Sequence, residues 1–99
     1  MKHNQFLLMK LMEECSEVSQ RCSKLIQFGY DEVEDGYEIN SHQRLQDEIY
    51  DLVSMIMMLN LNSHDESCKF DLIPSSEQFA KKQDKINRYY KYSQELGEL

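Results

Sequence analysis

Apolar positions recur with helical period over most of the chain. Leu8, Leu11, Cys15, Val18, Cys22, Leu25 and Ile26 fall three or four apart, which predicts a first helix over 4–28. Gly29 is its expected stop. Leu45, Ile49, Leu52, Val53, Ile56 and Leu59 repeat the pattern and predict a second helix from about 42 to 62. Ser41 is its expected N-cap, with Arg44 in place of the capping-box Glu or Gln. Phe79, Ile86, Tyr89 or Tyr90, and Ser93 or Leu96 form a third stripe, expected on a helix over 75–96. The stretch 30–42 is acidic, carries Gly36 and has no sustained period. It reads as a loop with room for one short turn, and a loop this long in a small domain is often functional. Residues 62–76, with Asn62, Ser63, Pro74, Ser75 and Ser76, read as a linker. Within it, Phe70-Asp71-Leu72-Ile73 suits either a short helix or an extended segment. β-branched runs are few and no hairpin dipeptide such as Asn-Gly occurs, so strands are not expected.

Composition narrows the class. Ninety-nine residues, 40% hydrophobic and 29% charged, describe one soluble globular domain over 1–99. A domain of this size buries a limited core, and oligomerisation is the expected supplement. Met55, Met57 and Met58 occupy several sides of the second helix. A helix apolar on most sides is normally buried, so at least a dimer is expected, either homodimer or homotetramer. The net charge of −7 disfavours nucleic-acid binding through phosphates. The N-terminus lacks signal-peptide features, and the apolar stretch Ile49 to Leu61 is interrupted by Asp51 and too short for a bilayer. Cys15, Cys22 and Cys68 form no CxxC pair. Cys15 and Cys22 stand about 10 Å apart along one helix, too far for a disulfide. They read as reduced packing residues, and the compartment as cytoplasmic.

The acidic positions change the picture further. Glu13, Glu14 and Glu17 lie on the first predicted helix, Glu48 and Asp51 on the second. With about 100° per residue and Leu11 at zero, the first stripe spans about −40° to +60°. Glu14 then falls at about −60°, Glu17 at about −120° and Glu13 at about −160°. With Leu45 at zero, Glu48 falls at about −60° and Asp51 at about −120°. Met55 and Met58 continue that flank, so Glu48 and Asp51 stand on an otherwise apolar side. Clustered, partly buried carboxylates repel one another and lose hydration. Bound cations would compensate, as would Lys10, Arg21 or Lys24. A solvated acidic face is the other reading. An all-oxygen ligand set suits Mg²⁺, or Mn²⁺, over zinc. His3, His42 and His64 do not follow a Glu by three, so di-iron Glu-x-x-His pairs are missing. No P-loop occurs, and no Ser or Cys nucleophile with a His partner can be argued.

Glu13-Glu14-x-x-Glu17 followed by Glu48-x-x-Asp51 resembles the EExxE…ExxD signature of MazG-like all-α nucleoside triphosphate pyrophosphatases. The flanking Leu11-Met12 and Val18, then Leu45-Gln46-Asp47 and Leu52, agree. Lys24-Leu25-Ile26-Gln27-Phe28-Gly29 and the tail from Lys85 are similar to small, phage-type members. The gap between the motifs is long here, with an acidic loop inserted.

The resemblance implies an all-α helical bundle completed by dimerisation. It also implies Mg²⁺-dependent hydrolysis of a nucleoside triphosphate to a monophosphate and pyrophosphate. Glu14, Glu17, Glu48 and Asp51 match the metal ligands. Glu13 matches the accompanying acid, as ligand or base, and Glu13 or Glu17 would accept the proton of the attacking water. Lys85 and Arg88 are candidates for outer phosphates, a solvated basic face being the other reading. Phe28, Tyr30 and Tyr89 could stack on a base or serve as core. Two further readings stand beside the enzyme: a non-catalytic acidic helical binding module, and a degenerate member that binds nucleotide without turnover.

Overall fold

The computed structural model describes residues 2–98; Met1 and Leu99, the ends of the expected domain, lie outside them. It contains three α-helices: α1 over His3–Phe28, α2 over Ser41–Leu61 and α3 over Ser76–Glu95. A single 3₁₀ turn, Glu66–Cys68, breaks the second connection. No strand occurs among the described residues, so the protein is all-helical as its periodicity predicts. Phe70 to Ile73 forms no regular helix. No helix of the described residues is long and apolar enough to cross a membrane.

α1 and α2 pack on each other as an antiparallel hairpin, and among the described residues theirs is the one extensive helix–helix contact. The side-chain amide of Asn62, just past α2, donates to the Asn4 side-chain oxygen near the start of α1. α1 turns its Leu7, Leu11, Glu14, Val18, Arg21 and Leu25 edge inward, each buried or half-buried. α2 answers with Leu45, Glu48, Leu52, Met55 and Leu59. Both series alternate steps of three and four, the spacing of a two-helix seam. Among the described residues, Leu7 and Leu59 are the buried apolar side chains, at 3% and 6% exposure.

The seam corrects the expected core. Taking the same zero points, both observed faces centre near −40°, toward the carboxylates. Leu8, Cys15, Cys22 and Ile26, expected in the core, are exposed, because their side of α1 is turned away from α2. All three cysteines are free and exposed, so within this chain they are not packing residues. Ile49 is likewise on the outer side, at 38% exposure.

The N-cap of α2 is Asn40, not Ser41. The Asn40 side chain accepts from the Gln43 amide, and Gln43 Oε1 accepts from the Asn40 amide, both at 2.9 Å. The capping box is therefore complete with Gln43, and Arg44 is free for other work. Ser41 is the first helical residue and is buried. Ser75 caps α3 with Gln78 in the same reciprocal way. Gly29 ends α1 at φ +88°, a backbone conformation that side chains disfavour.

The 29–40 loop folds back on the start of α2. Ser41 N donates to Glu32 O at 2.8 Å and His42 N to Tyr30 O at 3.1 Å. Arg44 pairs with Glu34 at 2.6 Å and lies 3.9 Å above the Tyr37 ring. At the other end, the Asn60 side chain clamps the backbone of Phe70 with two 2.8 Å bonds. α3 makes no comparable contact, and none of its residues is buried. Its expected core positions Phe79, Ile86, Tyr89, Tyr90 and Leu96 are all half exposed or more. The radius of gyration, 17.3 Å, exceeds the roughly 13 Å of a closed domain this long.

Candidate metal centre

The α1–α2 seam carries two carboxylates inside it. Glu14 stands between Leu11 and Val18, and Glu48 between Leu45 and Leu52. The neighbouring leucines and valine hold the two backbones together, and the acids are brought face to face. Glu17, one turn on from Glu14, reaches the same point. One carboxylate oxygen from each of Glu14, Glu17 and Glu48 lies within 4.8 Å of the others. Glu14 and Glu48 are half-buried and Glu17 is exposed.

Electrostatics mark the cluster. Burial raises the Glu48 carboxyl to about 7, with added contributions from a hydrogen bond to Glu17 and the charges of Glu17, Asp51 and Glu14. Burial also raises Glu14, again helped by Glu17 and Asp51. Oε2 of Glu14 and Oε2 of Glu48 are both buried without a hydrogen-bond partner. Buried polar atoms ordinarily have one. Among the described residues, no ion pair joins a basic side chain to Glu14, Glu17 or Glu48. Lys10 pairs instead with Glu13 at 3.1 Å, and Lys24 lies over the Phe28 ring at 5.5 Å. The compensating cations considered from sequence are thus engaged elsewhere, save Arg21, whose buried Nε has no partner.

The remaining predicted residues divide in two. Asp51 is exposed and outside the convergent trio, yet close enough for its charge to raise both Glu14 and Glu48. Glu13 is exposed and held outward by Lys10. Lys85 and Arg88 are on α3, where they line a surface depression of about 310 Å³ with Tyr89 and Tyr92. That helix has no extensive contact with the acid-bearing pair. Phe28 lies at the far end of α1, beside Arg21, Lys24, Glu32 and Glu34. Glu32 does not stand out in the sequence, since an acidic loop without a period does not reveal which carboxylate folds inward. Arg21, named from the sequence as a compensating cation, stands seven residues beyond Glu14 and so shares its seam position.

The donor set is chemically uniform. Three convergent carboxylates, two of them with an unpartnered buried oxygen, fit a hard, oxygen-seeking divalent cation. Among the described residues no histidine or thiol joins them, so the set does not suit zinc. No protein-family model, no curated protein and no solved structure matches the chain.

Proposed function

We propose that the protein is a Mg²⁺-dependent nucleoside triphosphate pyrophosphohydrolase of the MazG-like kind. One observation carries the reading. The fold spends part of a small core on carboxylates that repel each other and leave two buried oxygens unpartnered. Such an arrangement is costly unless a cation is bound. Glu14, Glu17 and Glu48 would hold Mg²⁺, with Asp51 beside them. Bound there, Mg²⁺ would neutralise triphosphate charge and acidify a water. Glu17 is the better candidate for accepting the water's proton, because the Glu13 carboxylate is paired with Lys10. Lys85 and Arg88 would meet the outer phosphates from a second copy of the chain, because α3 has no extensive contact with its own α1 and α2. The exposed outer face of α1 and the exposed Phe79, Ile86 and tyrosines of α3 supply the apolar surface such a dimer would cover.

A panel of nucleoside triphosphates with product identification tests the reaction. Turnover in ¹⁸O-water is expected to label the monophosphate and leave pyrophosphate unlabelled. Release of orthophosphate and a diphosphate overturns the assignment of the bond broken. Glu48→Gln is expected to abolish Mg²⁺-dependent turnover with helicity intact, and wild-type turnover in that variant removes Glu48 from the site. A melting temperature indifferent to millimolar Mg²⁺ favours the non-catalytic module instead. A ligand at a hundred times its dissociation constant adds about 2.7 kcal/mol.

A further inference from the structure

A second, smaller cavity opens along α1 beyond the carboxylates. It measures about 120 Å³ and is lined by Arg21, Lys24, Phe28, Glu32 and Glu34. Two of its polar atoms, Nε of Arg21 and Oε2 of Glu32, are buried and unpartnered. Glu34 is already committed to Arg44, which leaves Glu32 as the free acceptor. Its position is fixed, since the Glu32 carbonyl receives the Ser41 amide at 2.8 Å and the adjoining Tyr30 carbonyl receives that of His42.

The lining is ill suited to an anion. Two cations face two carboxylates, so a phosphate would meet as much repulsion as attraction. An acceptor and a donor beside a half-exposed aromatic ring match a polar heterocycle instead. Stacking on Phe28 suits any base, but Glu32 and Arg21 discriminate. A carboxylate only accepts hydrogen bonds and an arginine only donates them. Among the common bases, guanine alone offers two adjacent N–H donors on one edge, N1 and N2. Its O6 and N7 are the acceptors that arginine reads best. Position agrees as well. Arg21 is four residues past Glu17 and Phe28 eleven, about 6 and about 16 Å along the helix. A nucleotide with its phosphates at the carboxylates would lay its sugar and base over this span.

We propose that this cavity is the base subsite of the same site and that Glu32 and Arg21 select guanine; the inference rests on the pyrophosphohydrolase reading. Calorimetric titration of the full chain with GMP, AMP, CMP and UMP, in the presence of Mg²⁺, tests it. GMP is expected to bind at least about tenfold more tightly than the others, which is about 1.4 kcal/mol. Glu32→Gln is expected to erase that preference, and Phe28→Ala to weaken all four alike. Arg21→Gln gives an independent check on guanine if Glu32→Gln fails to fold, as judged by circular dichroism. Equal affinity for the four, no measurable binding of any, or a guanine preference that survives Glu32→Gln overturns the base assignment. The triphosphate panel separates the two failures: turnover indifferent to the base sinks this subsite alone, whereas absence of turnover with GMP preference intact sinks only the reaction.

Discussion

α2 and α3 are nearly equal in length, 21 and 20 residues, and both begin with a complete capping box. Only α2 has a partner. Its inward edge meets α1 and buries Leu59. α3 is held by its cap and by two exposed pairs, Lys81–Glu77 and Arg88–Asp84, each at 3.3 Å. Such pairs contribute about 0.3–0.5 kcal/mol each, and in proteins most helical stability comes from tertiary packing rather than from local propensity. Local chemistry therefore writes a helix in both places, while tertiary burial stabilises one of them. The difference also separates charge. α3 carries Lys81, Lys82, Lys85, Arg88 and Lys91 against three acids, while the 29–40 loop carries five acids and no base. A basic, aromatic, uncovered helix and an acidic hairpin are complementary surfaces, which is why a second copy is the occupant proposed for α3.

Core truncation breaks the comparison hardest. Leu59→Ala removes a buried side chain from the seam and is expected to cost about 2–5 kcal/mol. The loss should be the same at every protein concentration. Ile86→Ala on α3 is the counterpart. In a dilute monomer it is expected to stay within about 0.5 kcal/mol, because Ile86 is 50% exposed. Its effect should appear as a weaker dimer, measured by analytical ultracentrifugation. A wild-type monomer mass at micromolar concentration by light scattering refutes the dimer outright.

The seam also explains what was legible in the chain. Helix existence and number followed from periodicity, and the acidic motifs stood out as pairs on two helices. Which edge faced inward did not follow. Glu14, Arg21 and Glu48 are polar yet occupy seam positions, so a centre drawn through apolar residues alone is off by about 50°. Leu8, Cys15, Cys22 and Ile26 drew it toward a face that the single chain leaves uncovered. The cap of α2 was missed by one residue because Asn40 and Ser41 are both good caps; Gln43, at N3 of a helix capped by Asn40, decides between them. Glu32 and Glu34 look alike in sequence, and only the folding of the loop commits one to Arg44 and leaves the other facing the cavity.

The carboxylates in the seam give the hairpin a pH signature that α3 lacks. Glu48 in the folded protein releases its proton near 7 rather than at the ordinary 4.5, and Glu14 is shifted in the same direction. Between those values the folded state binds more protons than the unfolded chain, so stability falls as pH rises. Metal-free protein is therefore expected to melt at progressively lower temperature from pH 5 to pH 8. Arg44 pulls Glu34 the other way, but that contribution fades only as pH drops below the ordinary glutamate range. Glu48→Gln should flatten the profile, and added Mg²⁺ should offset the loss at the alkaline end. A wild-type melting temperature independent of pH over this window contradicts the repulsion on which the metal reading depends.

The two capping boxes give the finest test. Replacing an N-cap Asn or Ser by Ala costs about 1 kcal/mol, which in a domain of this size shifts the melting temperature by about 4–8 °C. Asn40→Ala acts on a helix whose unfolding is tied to the seam, so its shift is expected at any concentration. Ser75→Ala acts on a helix whose only extensive partner would be another chain. At concentrations where the dimer forms, unfolding α3 also means losing the interface, and Ser75→Ala should lower the melting temperature nearly as much as Asn40→Ala. On dilution into the monomer, α3 frays independently. Ser75→Ala should then reduce the helical circular dichroism signal before the transition and leave the transition itself in place. A Ser75→Ala shift that persists undiminished on dilution means that α3 packs on its own α1 and α2 in solution, and the contrast between the two regions disappears.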